Sequence, residues 1–438
     1  MNIYDFGIIS DEKIIQTEKI QNAIDVSSKN KEKLIFTEGT YVTTTLYLRD
    51  HTHIILEKGA LIIACPDYRE WIGSDQKPVI LAENLKNVSV TGEGTISCNG
   101  KFFHDTEGNP TSMYRPNHTI EFSSCKGVEL SGITLRDSVT WTIHFDDCEN
   151  VLADNVTIRN PDWWSSHCSD GFDINGCRHF EIKNCDIETG DDAICLKNYN
   201  GGSERNSMYD IYIHDCLLRT TSHGVKIGTE TQGDIYDVRV ENILLKKHRT
   251  ANERRYPDIG GYPLVAFSVQ SNDGASVHDI SCKNMDVEVV DTPLFFILQN
   301  RTSIVPGATL GRVYNITVDN MTVNKCVRGS QINVSEFGAI ENVRISNFEA
   351  HNYEEYDGEY KALVPEGRWY PDAYNFGHMP AYGLFARNVE NLEIGENVKF
   401  YDETASGRDA VVIEKNINGV IKNDVYGKLQ QMDGIRFS

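Results

Sequence analysis

Basic charge is scarce in this sequence. Its 42 Lys and Arg stand against 64 Asp and Glu, for a formal net charge of −22. No Lys/Arg-dense face can be drawn from it, which argues against nucleic acid or an anionic membrane as the main partner. A small acidic sugar needs only one or two local cations and stays open. Long apolar runs are missing as well. None approaches the roughly 18 residues of a membrane span, and the opening MNIYDFGIISDEK has neither a basic n-region nor an apolar h-region. The chain as it stands therefore reads as soluble and cytoplasmic, or extracellular if a leader has been lost. There is no CxxC pair and no Cys/His set with zinc spacing. The cysteines number 11, an odd count, so at least one thiol is free. They read as small buried hydrophobes in a reducing compartment rather than as disulfides. A hydrophobic fraction of 40% is enough for a large core and argues against disorder.

What the sequence has instead is a repeat. A phrase of the form apolar-x-apolar-x-(Asn/Gly/Asp)-x-x-apolar recurs along most of the chain. It starts at Val88 (VSVTGEGTI), Val128 (VELSGITL), Val151 (VLADNVTI), Phe180 (FEIKNCDI), Ile211 (IYIHDCLL), Val238 (VRVENILL), Ile280 (ISCKNMDV), Ile316 (ITVDNMTV), Val343 (VRISNFEA) and Leu392 (LEIGENVKF). The spacing is too irregular for helical repeats, and the phrase alternates with period two. Short β phrases with variable loops between them suit a right-handed parallel β-helix, a solenoid of about ten coils in which insertions bulge outward without disturbing the stack.

Asn155, Asn184, Asn242, Asn284, Asn320 and Asn347 share the fifth position of the phrase, which predicts an internal asparagine ladder at a turn. Cys125, Cys148 and Cys177 each precede a phrase by three residues and read as stacked core positions. Thr17 to Ser28 has apolar residues at helical spacing and predicts an N-terminal helix capping the open end of the stack. Residues from about His351 to Tyr382 break the pattern and predict a long loop or flap. The whole chain reads as one domain: a cap and first coils over 1–60, the main β-helix over 61–350 with candidate site coils at 141–275, and the flap with C-terminal coils over 351–438.

Because the coils stack, the repeat can align chemistry. WTIHFDDC from Trp141, DGFDINGC from Asp170, DAICLKN from Asp192 and HGVKIG from His223 line up as successive coils. The pairs Ile143/Phe145, Phe172/Ile174, Ile194/Leu196 and Val225/Ile227 point inward, so the residues between them point out. One outward column is then His144, Asp173, Cys195, Lys226, and the next is Asp146, Asn175, Lys197, Gly228. Trp141, Asp170, Asp192 and His223 stand at the entry edge, with Asp191 one residue before Asp192. Three carboxylates and a histidine thus gather on one face. Crowded like charges raise one another's pKa, which keeps one carboxyl protonated as an acid while another serves as a base.

SDGFDINGC, GDDAICLK and SHGVKIG resemble the three successive signatures of glycoside hydrolase family 28, the polygalacturonases and their relatives, and the likeness extends over nearly the whole chain. The resemblance implies a β-helical enzyme that cleaves a glycosidic bond with inversion. It assigns Asp191 as general acid, Asp170 and Asp192 as the pair that activates the attacking water, and His223 as support for the acid. Two departures stand out. The family's Asn-Thr-Asp is Cys168-Ser169-Asp170 here, and its Arg-Ile-Lys, which grips the substrate carboxylate, corresponds to Ser268-Val269-Gln270. Ser268 and Gln270 suit a neutral hydroxyl. Lys226 and Lys197 are the aligned cations left for an acidic sugar, with Asp173, His144 and the loop residue Trp164 as further substrate contacts.

The expected substrate is a pectin-type oligosaccharide. Insertions before Asp170 and between Asn198 and Tyr209 favour exo action by closing one end of the cleft. No metal or cofactor is called for. Two alternatives remain open: a lyase or epimerase acting on uronates, and a non-catalytic carbohydrate-binding β-helix.

Overall fold

The structure is a computed structural model. It describes all residues except 74–75, 106–110, 161–167, 200–206, 250–260, 416–418, 422–424, 427–434 and 438. The predicted capping helix is present as α1, Thr17–Asn30. Ile20, Ala23, Ile24 and Ser27 fall on one helical face and are buried. Lys31 closes the helix in the left-handed region at φ 56°, its N–H donating to Ser27 and Ser28. The cap also satisfies backbone at the end of the stack. The Gln21 amide donates to the Tyr47 carbonyl and accepts from the Tyr47 N–H, each at 2.8 Å, so an edge strand is not left bare.

The chain divides into two compact units, Met1–Ile194 with His248–Arg255, and Cys195–Lys247 with Tyr256–Ser438. Both are built from coils of a right-handed parallel β-helix. In the first unit, β1 (Ile80–Glu83), β2 (Ile120–Ser123), β3 (Ile143–Asp146) and β4 (Phe172–Asn175) pair in parallel, one per coil. A second parallel ladder joins Lys126–Ser131, Glu149–Asp154 and Arg178–Lys183. The predicted inward pairs are fully buried. Phe122 stacks on Phe145 at 5.1 Å.

In the second unit, β5 (His223–Thr231), β6 (Val265–Ser271), β7 (Thr292–Leu298), β8 (Ser330–Val334) and β9 (Ala381–Arg387) form the equivalent ladder. The longer strands Ile235–Lys247, Ser276–Val287, Arg312–Cys326 and Ile340–Asn352 carry the repeat phrase.

The fifth position of the phrase is where each strand turns a corner. All six asparagines there have φ between 47° and 56°, the left-handed conformation that Asn tolerates better than most residues. Their amides do form a ladder, Asn284 onto Asn242 at 3.0 Å and Asn320 onto Asn284 at 2.8 Å. The ladder is exposed, however, and not internal as expected. At a left-handed corner the backbone bends around the core, so the side chain leaves on the convex, solvent side.

All 11 cysteines are free thiols, ten of them buried and Cys168 exposed. Burial pushes Cys98 and Cys282 up to about 12. The predicted flap runs between β-strands as residues 353–380, with one short 3-10 turn at Ala373–Phe376. It packs inward: Ala362, Ala373, Phe376 and Met379 join Val265, Phe295, Ile297 and Phe385 in one apolar cluster. Among the described residues no helix is long and apolar enough to cross a membrane.

Candidate active site

In the first unit, backbone hydrogen bonds link successive coils along one edge of the β1–β4 ladder. Val79 N–H donates to His118 O (3.1 Å), Thr119 to Thr142 O (3.2 Å), Thr142 to Asp170 O (2.8 Å) and Gly171 to Asp192 O (2.9 Å). This run places Asp170 and Asp192 on adjoining coils, with Asp191 beside Asp192. All three are nearly buried, at 4%, 8% and 4% exposure for Asp170, Asp191 and Asp192. The approach is tight because position 171 is glycine: a Cβ there would lie 2.4 Å from the Ala193 carbonyl oxygen.

Neighbouring hydroxyls and amides hold the edge. Asp191 Oδ1 accepts from the Asp192 N–H at 3.1 Å, Thr189 Oγ1 donates to the Asp191 carbonyl at 2.7 Å, and Ser169 Oγ accepts from the Gly190 N–H at 3.0 Å. Asn160, also buried, donates to Thr142 Oγ1 at 2.6 Å and accepts from the Ser138 N–H at 2.9 Å. It braces the coil between His118 and Asp170.

On the outward face the register runs Glu121, His144, Asp173 across β2, β3 and β4, and Ser123, Asp146, Asn175 beside it. The aligned columns therefore stand within this unit. Reading the same register one coil further back would have found Glu121 and His118. The His118 ring stacks on Trp141 at 5.3 Å and 7°, and both meet His144 edge-on at 5.2 Å. Glu121, 3.9 Å from His118, is held above the usual carboxylate range by burial, with Glu83 and Asp146 adding to the effect. Ligand atoms of His118, Glu121 and His144 all lie within 4.8 Å of one another, a grouping that could hold a metal ion.

In the second unit, His223 opens β5 and is fully buried. Its Nδ1 lies 3.2 Å from Ser222 Oγ and its Nε2 3.8 Å from Asp372 Oδ1. Lys226 pairs across the ladder with Ser268. Its Nζ donates to the Tyr370 hydroxyl at 3.4 Å and lies 5.3 Å from that ring's centre. Thr229 Oγ1 donates to the same hydroxyl at 2.9 Å. Lys197 is buried with Nζ 3.8 Å from Glu230.

Ser268 and Gln270 are fully buried and spend their bonds within the protein. Gln270 Nε2 donates to Ser268 Oγ at 2.9 Å and to the Pro371 carbonyl at 3.2 Å, while its Oε1 accepts from Asn272 at 3.1 Å. Their visible role is to dock residues 370–372 onto β6. Asp372 and Tyr370 escaped sequence reasoning because their segment has no period to align; the RWYPD string offers no signal beyond composition. Trp164 and the two insertions credited with closing the cleft fall at least partly on residues outside those described.

Residues 23–255 match Glycosyl hydrolases family 28, more than half of the sequence. The chain belongs to this family. A probable polygalacturonase of Vitis vinifera is 26% identical over 269 residues, covering 56% of this chain and 54% of the plant protein. The family 28 chain thus spans about half the length of the curated relative it matches. Two solved structures share its fold. An exopolygalacturonase of Thermotoga maritima aligns with a TM-score of 0.62 and 20% identity over 89% of this chain and 90% of that one. A family 28 exopolygalacturonase of Yersinia enterocolitica aligns with a TM-score of 0.64 and 16% identity over 97% and 78%.

Proposed function

We propose that this family 28 chain hydrolyses a glycosidic bond in pectin-type oligosaccharides by single displacement with inversion, releasing sugar from a chain end. The observation that carries the proposal is the pairing of Asp170 and Asp192 on adjoining coils through the Gly171–Asp192 backbone bond, with Asp191 next in the chain. Three nearly buried carboxylates gather on this edge, a placement that core packing does not call for. Acid/base work on a bound sugar gives that arrangement a use.

In this reading Asp191 protonates the leaving oxygen while Asp170 and Asp192 take a proton from water attacking the opposite face of the ring. The bond to the leaving oxygen breaks as the bond to water forms; one proton passes from Asp191 to the leaving oxygen and one passes from the water to the Asp170/Asp192 pair, so charge balances without a covalent intermediate. The family resemblance assigns the support of the acid to His223. The Trp141/His118 stack gives a sugar ring an apolar wall. His144 and Asp173 supply polar contacts to the substrate.

The test is product analysis on a panel of acidic and neutral pectic oligosaccharides, with the anomer followed by NMR. Stepwise release of terminal sugar with inverted configuration is expected, and Asp191→Asn should lower turnover by roughly two to four orders of magnitude. Unsaturated products, or Asp191→Asn retaining more than a tenth of the rate, would overturn the assignment.

A further inference from the structure

His118, Glu121 and His144, all in the first unit, bring two imidazoles and a carboxylate together from two adjoining coils. Glu121 on β2 pairs directly with His144 on β3, so the parallel register stands the two side chains next to each other on the outward face. His118 reaches the same spot from the edge three residues earlier, its Nε2 3.9 Å from Glu121 Oε2. One ligand atom from each residue lies within 4.8 Å of the other two. Ligands to a tetrahedral zinc stand about 2.1 Å from the ion and so roughly 3.4 Å from one another, which side-chain shifts of about 1 Å would reach.

The two rings are held in place by packing. Trp141 stacks on His118 at 5.3 Å and 7°, and meets His144 at 5.2 Å and 64°, so one indole sets the planes of both imidazoles. The His118 tautomer is set as well. Thr140 Oγ1 donates its single proton to the Asn117 carbonyl and therefore accepts from His118 Nδ1, 3.3 Å away. A ring protonated at Nδ1 presents the lone pair of Nε2, the nitrogen nearer Glu121. A metal-ligating imidazole donates its other N–H to an outer-shell acceptor in this way. The Asn117 amide donates to Nε2 at 2.9 Å and would yield that lone pair to an ion.

The surroundings favour a cation arriving from outside. His118 and His144 are 5% and 7% exposed, whereas the Glu121 side chain is 24% exposed and gives the entry point. Glu83 and Asp146 lie within electrostatic reach of Glu121, which sets the cluster in a negative potential. Two imidazole nitrogens and one carboxylate oxygen suit zinc and its first-row neighbours; calcium and magnesium take sets of oxygens.

We propose that His118, Glu121 and His144 form a binding site for a divalent transition-metal ion of the zinc class, with a fourth position left to water. Asp173 follows His144 in the same outward column, so the ion would stand beside the hydrolytic edge without belonging to it, and the proton transfers proposed above do not use it. With the ion bound, the sugar contact given above to His144 is made through that fourth position. The site itself does not depend on the hydrolase reading.

The experiment titrates chelator-stripped protein with Zn²⁺ by calorimetry and follows the unfolding midpoint in parallel. Saturable binding of one ion at the site is expected, with a midpoint that rises as zinc is added and no displacement by calcium or magnesium. Glu121→Gln and His144→Gln should each weaken binding at least about tenfold, the loss that even an outer-shell change brings, and should abolish the midpoint shift. Glu121→Gln removes a partly buried charge, so its loss of binding would not reflect unfolding. His278→Gln, at a histidine beside Asp279 in the second unit, should leave the affinity unchanged. X-ray absorption at the zinc edge should report nitrogen and oxygen ligands at about 2.0–2.2 Å.

No saturable binding below about 100 μM zinc, affinity unchanged in both variants, or sulfur scattering at about 2.3 Å that places the ion on cysteines would each overturn the proposal. None of these readouts involves turnover. Hydrolysis without zinc binding would sink this inference alone, and zinc binding without hydrolysis would sink the hydrolase reading alone.

Discussion

His223 Nε2 and Asp372 Oδ1 face each other at 3.8 Å in the second unit, where His223 is fully buried. They are far apart in sequence, and only the inward fold of residues 353–380 brings the carboxylate to the ring. With Ser222 Oγ at 3.2 Å from Nδ1, the imidazole is bracketed at both nitrogens. At this distance the pair is an ion-pair contact and not a hydrogen bond, and the expectation is that Asp372 orients the His223 ring. Asp372→Asn keeps the shape and removes the charge. It should lower kcat roughly tenfold or more with little change in KM, while the unfolding midpoint stays within a degree or two. A change in KM alone would assign Asp372 to substrate binding instead.

Glu121 gives a pH-dependent test of the first unit. Its carboxyl is held above the usual range by burial, then by Glu83 and Asp146. A raised pKa means that the folded state binds this proton more tightly than the unfolded state does. The group therefore favours folding at low pH and penalises it as pH rises through the unfolded value, about 4.3, to the folded one. Glu121→Gln should raise the unfolding midpoint at pH 7 by about 1–3 °C, less whatever the 3.9 Å contact with His118 supplies. The gain should vanish as pH falls below the usual carboxylate range. Scanning calorimetry from pH 3.5 to 7.5 checks the sign, and a gain that persists at pH 3.5 would contradict it.

The thiols should separate cleanly. Burial raises Cys98 and Cys282 to about 12 and pushes Cys148 and Cys326 upward too, while Cys125 is raised first by its contact with the Cys148 thiol and then by burial. At pH 8 these remain protonated and poorly nucleophilic. A thiol reagent should modify Cys168 quickly in the native protein and all 11 cysteines only in denaturant, and reducing agent should leave the unfolding midpoint unchanged. Mass mapping that found a disulfide would overturn the reading of these cysteines as core residues.

The repeat made much of this protein legible in one dimension. A stack of coils converts sequence alignment into spatial alignment, because a strand on one coil pairs in register with the strand on the next. The inward pairs from Ile143/Phe145 to Val225/Ile227, the outward column His144–Asp173, and the edge position of Asp170 and Asp192 could all be read for that reason. Asparagine at the fifth position marked the corner because few other residues tolerate the left-handed backbone.

Tertiary structure alone decided the rest. The outward exit of the asparagine side chains depends on which way the chain bends around its core, and periodicity contains no such sign. Tyr370 and Asp372 come from a segment without a repeat, placed by burying Phe376 and Met379 against β7 and β9, so no register points to Lys226 and His223.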